Sequence, residues 1–265
     1  MKIVVFGCLH GSKKAKRAPL KGTNLILIAG DLGKADLMRE MYFKNIERKK
    51  KGLEEIEYSP KEQKRAFMEA YDSSVEIVEF LSSFAPVYMI YGNVEISNKE
   101  TKKLSKEIGL KLPSLTDKLN SMKNVRIINN KFVKFKHLRI GGVKFFTDSC
   151  WVREFKPKDY SDNLKKAKKA SKKVEEVLKK FKDLDIFISH QPPYGILDRV
   201  TAKFAPKHWK GKNAGSKVLL NYVEKKKPKF HLCAHIHEGK GRKKIGKTEI
   251  INIGSNGDYV VLNID

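Results

Sequence analysis

The chain has 265 residues, 40% hydrophobic and 32% charged, which suits one large α/β domain or two small ones. No stretch approaches the roughly 18 apolar residues of a membrane span, and three sparse cysteines, Cys8, Cys150 and Cys233, exclude a disulfide framework. Lysine and arginine outnumber aspartate and glutamate 56 to 30, a formal net charge of +26; this favours polyanions through steering and counterion release, and is equally what a general enrichment in surface lysine produces. The N-terminal apolar run is too short for a signal peptide, so a soluble protein of the reducing cytoplasm is expected.

Residues 3–6 read as a buried strand. It ends in Gly7-Cys8-Leu9-His10-Gly11, where flanking glycines permit a tight turn. Residues 25–29 form a second strand ending at Gly30-Asp31; an aspartate there is either an Asx turn or a site carboxylate. Residues 34–84 contain no strand-like run. The spacing of Leu37, Met41 and Ile46, then of Phe67, Tyr71, Val75, Val78 and Leu81, predicts helices, the second starting at Ser59-Pro60, with 47–52 a solvated loop. This is a helical insertion and a candidate cap. Residues 86–91 are a third strand, ending in Gly92-Asn93-Val94-Glu95. Residues 96–122 read as helical, and 125–128, 131–135 and 138–146 as an antiparallel meander. Thr147-Asp148-Ser149-Cys150-Trp151 is a candidate pocket border.

An amphipathic helix is expected over 161–185, capped by Ser161 or Asp162. Residues 185–189 are a fourth strand, ending in His190-Gln191-Pro192-Pro193. Residues 196–216, with His208, form a long loop of the kind that is uncommon unless functional. A short helix over 217–224 precedes a fifth strand, 230–234, which stops at His235-Ile236-His237. Strands at 249–253 and 259–264 follow. With no internal repeat and no linker, residues 1–265 read as one domain.

Strands alternating with helices predict a largely parallel sheet, whose strand C-termini share one ligand-binding edge. Cys8, His10, Asp31, Asn93, His190, His235 and His237 all fall at such ends. A lone His-x-His pair reads as incidental surface histidines just as well. The recurrence of ligand-type side chains at five strand ends is what points to metal, since neutral imidazole binds zinc, iron and manganese. Seven donors exceed the need of one four-coordinate ion and suit two ions sharing a carboxylate. Asp31 is the one carboxylate among them, hence the natural bridge.

In order, Gly7-Cys8-Leu9-His10, Gly30-Asp31, Gly92-Asn93-Val94-Glu95, His190 and Ala234-His235-Ile236-His237 resemble the signature of the calcineurin-like metallophosphoesterases: Asp-x-His, Gly-Asp, Gly-Asn-His, a lone His, then Gly-His-x-His. The resemblance spans nearly the whole chain, and Pro192-Pro193-Tyr194-Gly195 with Gly215-Ser216-Lys217 look like an archaeal-type branch of predicted phosphoesterases. It implies an α/β fold, a four-layer αββα sandwich of two mixed β-sheets flanked by helices. It also implies two divalent metal ions (manganese, zinc or iron), one on Cys8, His10, Asp31 and His237, the other on Asp31, Asn93, His190 and His235, together activating a hydroxide against a phosphoester.

Two positions depart from that pattern. Cys8 stands where the family has Asp: it either ligates as a thiolate, favouring zinc or iron, or stays a thiol and holds the first ion weakly. Val94 stands where the family has the His that protonates the leaving group, which argues for phosphodiesters over monoesters. Asn93 is then a candidate contact to the phosphoryl group and His208 a candidate general acid. The charge makes nucleotides or nucleic acid the expected diesters. The alternative is a non-catalytic member that keeps the fold as a scaffold for nucleic acid or protein. No membrane partner is expected, and the oligomeric state is open, a homodimer included.

Overall fold

The computed structural model describes residues 1–203 and 205–264. In chain order the regular elements are β1 (Lys2–Phe6), β2 (Leu25–Ile28), α1 (Asp36–Lys50), α2 (Pro60–Ser82), β3 (Val87–Met89), α3 (Asn98–Glu107), α4 (Leu115–Asn120), β4 (Val125–Ile127), β5 (Lys131–Phe135) and β6 (Leu138–Val143). Then come α5 (Ser149–Phe155), α6 (Tyr160–Lys179), β7 (Ile186–Ser189), α7 (Lys217–Lys226), β8 (Phe230–Cys233), β9 (Gly241–Ile245), β10 (Thr248–Asn252) and β11 (Tyr259–Asn263).

The strands form two mixed sheets. One has the order β11-β1-β2-β3-β4, the other β5-β6-β7-β8-β10-β9. Within each the central strands run parallel, and β11, β5 and β9 are antiparallel edges. Side chains alternate across every strand. Ile3, Val5, Leu25 and Leu27 meet Ile186, Ile188, Leu232 and Ile251 between the sheets. Val4, Phe6, Ile26 and Ile28 turn the other way onto Ile77, Val78 and Leu81 of α2 and Leu119 of α4. On the second sheet Phe187, Cys233 and Ile250 pack under α6 and α7. The layers are therefore α, β, β, α. Burial on both faces is why these strands read as unbroken apolar runs, and each fully buried Leu, Ile or Phe contributes about 1.5–3 kcal/mol.

The start of α2 follows its sequence signal. Ser59 accepts from the Glu62 N–H, and the Glu62 carboxylate takes the Ser59 N–H in return, a reciprocal cap. Elsewhere the structure corrects the expectation. β4 is not the first strand of a meander: it pairs parallel with β3 in the first sheet, and the chain crosses to the second sheet before the β5–β6 hairpin. Residues 47–50 are the last turn of α1, not loop. α6 stops at Lys179 rather than at 185, and its N-cap is Asp159 in a left-handed conformation, not Ser161 or Asp162. β9, whose residues read Gly-Arg-Lys-Lys-Ile, gave no apolar signal because it is a charged edge strand. Among the described residues no helix is long and apolar enough to cross a membrane.

Candidate metal centre

The site lies just beyond the C-terminal ends of β1, β2, β3, β7 and β8. Gly7 packs so tightly on Gly254 that an added Cβ would collide with its carbonyl, and the Cys8 N–H donates to that carbonyl at 3.1 Å. His10 and Asp31 both adopt left-handed backbone conformations, φ 48° and 50°, which non-glycine residues adopt uncommonly. The His10 N–H donates to the Asp31 carbonyl at 2.8 Å. The glycines preceding the ligand-type residues make room for His190. A Cβ on Gly30, whose φ is +102°, would lie 2.7 Å from its Nδ1, and one on Gly92 would lie 2.5 Å from its Cε1.

All seven residues expected at the site converge on it. Cys8, His10 and His237 offer donor atoms within 4.8 Å of one another, and so do Cys8, Asp31 and His190. Nε2 of His10 stands 3.5 Å from Nε2 of His237 and 3.8 Å from Oδ2 of Asp31. The His235 ring lies 4.9 Å from that of His190, and the His235 N–H donates to Cys8 Sγ at 3.3 Å. Asp31 is fixed by the Val94 N–H on Oδ1 at 3.0 Å, leaving Oδ2 toward the histidines.

His190 tests whether this set fits a cation. Its ring is wholly buried, and Nδ1 lies 2.7 Å from the Ala29 carbonyl. A carbonyl only accepts, so Nδ1 carries the proton and Nε2 keeps its lone pair. That lone pair faces Oδ1 of Asn93 at 3.0 Å and Oδ2 of Asp31 at 3.6 Å. Three acceptors with no donor between them repel one another; around a cation the same three attract. Protonation does not relieve the conflict near neutrality. Burial holds His190 and His10 down to about 4 and His235 to about 3, and lowers His237 as well. Neutral imidazole is the ligating form. Burial, then the negative charge of Asp31, pushes the Cys8 thiol well above its ordinary range, so without a cation it stays protonated.

Two residues that sequence reasoning missed belong to the same place. The Glu95 carboxylate accepts three backbone N–H groups, those of Asp31 at 3.0 Å, Leu32 at 2.7 Å and Gly92 at 2.7 Å. It ties the turn after β2 to the turn after β3. Burial and the Asp31 charge raise it to about 8. Arg39, in the first turns of α1, places a guanidinium nitrogen 3.5 Å from both ring nitrogens of His10. The start of α1 is anchored on α2 by Leu37 N–H to Glu69 at 2.9 Å and Lys34 N–H to Ser73 at 2.8 Å. A glutamate closing a Gly-Asn turn was visible in the sequence; an arginine in a charged helix carried no signal.

The remaining candidates are placed elsewhere. His208 is exposed, set edge-on to Trp209, with no hydrogen bond to the histidine cluster among the described residues. The loop around it is nonetheless fastened to the site: Val200, Ala214 and Phe155, with Trp151 and Trp209, pack on Ile236 between the two histidines. Glu238 accepts the N–H groups of Thr201 and Ala202, each at 3.0 Å, and with Arg199 and Asn213 lines a cleft of about 420 Å³. Asp148 is occupied structurally. It accepts from Cys150 N–H at 2.9 Å, Val218 N–H at 3.1 Å and Ser216 Oγ at 2.5 Å, capping α5 and bracing the start of α7.

Imidazoles, a carboxylate and an amide are thus gathered at one rim of an αββα sandwich. The chain belongs to the calcineurin-like phosphoesterase family, whose model matches residues 1–239. The UPF0046 protein K07C11.7 of Caenorhabditis elegans is 30% identical over 126 residues, 48% of this chain and 38% of that protein. This chain spans 38% or less of the length of the curated relatives it matches. One solved chain superposes with a TM-score of 0.59 at 15% identity, over 98% of this chain and 94% of its own. Phosphopantetheinyl hydrolase from Mycobacterium tuberculosis superposes with 0.50 at 10% identity, over 96% and 90%. At those identities the likeness is one of fold alone.

Proposed function

We propose that this chain hydrolyses phosphodiesters at a centre of two divalent ions. Cys8, His10, Asp31 and His237 would hold one ion, and Asp31, Asn93, His190 and His235 the other. The reading rests on one observation above all, the three acceptors of His190, Asn93 and Asp31 facing one another without a donor. Divalent ions bound there supply Lewis-acid polarisation of the phosphoryl oxygens and lower the pKa of a water to the neutral range. The protein's part is positioning. The Val94 N–H and the Glu95 carboxylate fix Asp31 from its side chain and from its backbone. The Ala29 carbonyl holds His190 in one tautomer. Phe145 shields the His190 and His235 rings at 5.7 and 5.1 Å. Arg39 and the exposed amide of Asn93 are available to the phosphoryl oxygens.

The preference for diesters follows from position 94. Without an imidazole there the site lacks one cationic donor, and a diester brings one negative charge where a monoester dianion brings two. Nucleic acids are diesters that a chain of net charge +26 draws in by counterion release. A thiolate at Cys8 favours zinc or iron over manganese.

The test is turnover of bis-p-nitrophenyl phosphate, p-nitrophenyl phosphate, single-stranded DNA and RNA by protein loaded with manganese, zinc or iron, its metal content measured. Diester hydrolysis abolished by His190→Ala is the expected result. Protein carrying two ions and turning over none of these overturns the reading. Protein that takes up no ion, yet binds polyanions in a salt-sensitive way that survives His235→Ala, is the scaffold instead.

A further inference from the structure

A cation without a counter-ion stands beside the donor cluster. Arg39 is exposed, yet its Nη2 lies 3.5 Å from both ring nitrogens of His10. The helix that carries it is anchored by other groups, through Leu37 N–H to Glu69 and Lys34 N–H to Ser73. The carboxylates at this end of α1 are engaged with lysines, Asp36 and Glu69 with Lys34 at 3.5 and 3.1 Å, Glu40 with Lys44 at 2.6 Å. Among the described residues Arg39 itself forms no ion pair with a carboxylate.

Its charge falls on one half of the centre. Burial is the largest influence on Cys8, His10 and His237, raising the thiol and lowering the imidazoles; on all three the Arg39 charge acts as well, in each case against a proton. It has no such effect on His190. A charge that repels a proton from three donors repels a divalent ion from them about twice as strongly. Cys8, His10 and His237 are thus a close donor set with an uncompensated positive charge at its edge. An anion with several oxygens resolves the conflict: one oxygen ligates the ion and another accepts from the guanidinium, which a phosphoryl group allows. With valine at 94, Arg39 is the cationic side chain that the geometry offers to those oxygens. Resting on the two-ion reading above, we propose that Arg39 couples the ion on Cys8, His10 and His237 to a phosphoryl anion, so that each binds weakly alone and tightly with the other. The centre then completes itself on its substrate, and linkage makes the effect reciprocal.

The test is equilibrium binding of zinc to the metal-free full chain, by competition with a chromophoric chelator, with and without excess inorganic phosphate at constant ionic strength. Wild type should bind two ions, the weaker of them about 10-fold more tightly when phosphate is present. Arg39→Met keeps the length of the side chain and loses the charge. It should bind the weaker ion about 10-fold more tightly than wild type without phosphate, and gain less from adding it. Arg39→Lys, which keeps the charge, should follow wild type. Arg48→Met removes the same charge from the same helix, about 13 Å along its axis, and should change neither quantity. All three variants should keep the wild-type circular dichroism, since no residue of α1 is buried. An Arg39→Met chain that binds two ions with wild-type affinities and the wild-type gain from phosphate overturns the proposal and leaves the two-ion reading standing. So does an Arg48→Met chain that reproduces Arg39→Met, because net charge is then the cause. A chain that takes up no ion, with or without phosphate, overturns both.

Discussion

Glu95 should matter as much for the site as a residue that touches substrate, because its one carboxylate accepts from both turns that carry candidate ligands. In Glu95→Ala the N–H groups of Asp31, Leu32 and Gly92 all lose their acceptor. At about 1–3 kcal/mol for each orphaned group, with relaxation of the turns reducing the sum, the loss is about 3–6 kcal/mol. That is a large part of the roughly 5–15 kcal/mol that stabilises a domain. Glu95→Gln is the graded control. Oε2 takes the bonds from Asp31 and Gly92 and Oε1 takes that from Leu32. An amide oxygen in the first place keeps two bonds and turns an N–H toward Leu32, a loss of about 1–3 kcal/mol. For a chain of this size 1 kcal/mol moves Tm by about 2–4 °C, so the alanine variant should melt about 6–24 °C low and the glutamine variant about 2–12 °C low. Thermal circular dichroism with metal content on the same samples reads both effects, and metal occupancy should fall in the same order. An alanine variant melting within about 2 °C of wild type and keeping its full metal complement refutes the clamp.

Val94→His should raise turnover of p-nitrophenyl phosphate relative to bis-p-nitrophenyl phosphate by about 10²-fold or more, the usual contribution of a placed general acid; a parallel change in both rates counts against the reading of position 94. Cys8→Asp should shift the bound metal from zinc or iron toward manganese, read by elemental analysis of protein loaded from an equimolar mixture. Asp148→Ala removes the acceptor of Cys150 N–H, Val218 N–H and the Ser216 hydroxyl and should cost about 2–4 kcal/mol of stability without changing metal content, measured by urea denaturation and elemental analysis.

What was legible in the sequence was the rim. Parallel strands buried on both faces read as apolar runs, and the residue types that follow each run, Asp31 after Gly30, Asn93 after Gly92, His190 after Ser189, announce themselves by breaking it. Sheet membership was not legible in the same way. β4 has three residues, Val-Arg-Ile, and nothing local tells whether its partner is β3 before it or β5 after it. β9 was hidden because an antiparallel edge strand facing solvent is written in lysine and arginine. Glu95 lay in plain view, yet its partners are backbone N–H groups, two of them more than sixty positions away; an interaction with main chain imposes no residue type at the other end, so no pattern records it. Arg39 is one of 56 basic residues, and only the packing of α1 on Glu69 and Ser73 aims it.

The two departures from the family pattern bear on chemistry rather than on architecture. Position 94 contributes its backbone N–H to Asp31, which any residue but proline supplies, so a valine there leaves the carboxylate where a histidine would. Cys8 stands at the centre rather than at the margin: it belongs to both close donor sets, the one with His10 and His237 and the one with Asp31 and His190. A thiol raised by burial and by Asp31 must give up its proton before it can ligate, so cation uptake at this centre is opposed by acid more steeply than with an aspartate in the same place. His190, Asn93 and Asp31 carry no such cost, since they already present lone pairs. If two ions bind as proposed, the one facing those three should fill first, and Cys8 decides how tightly the other is held.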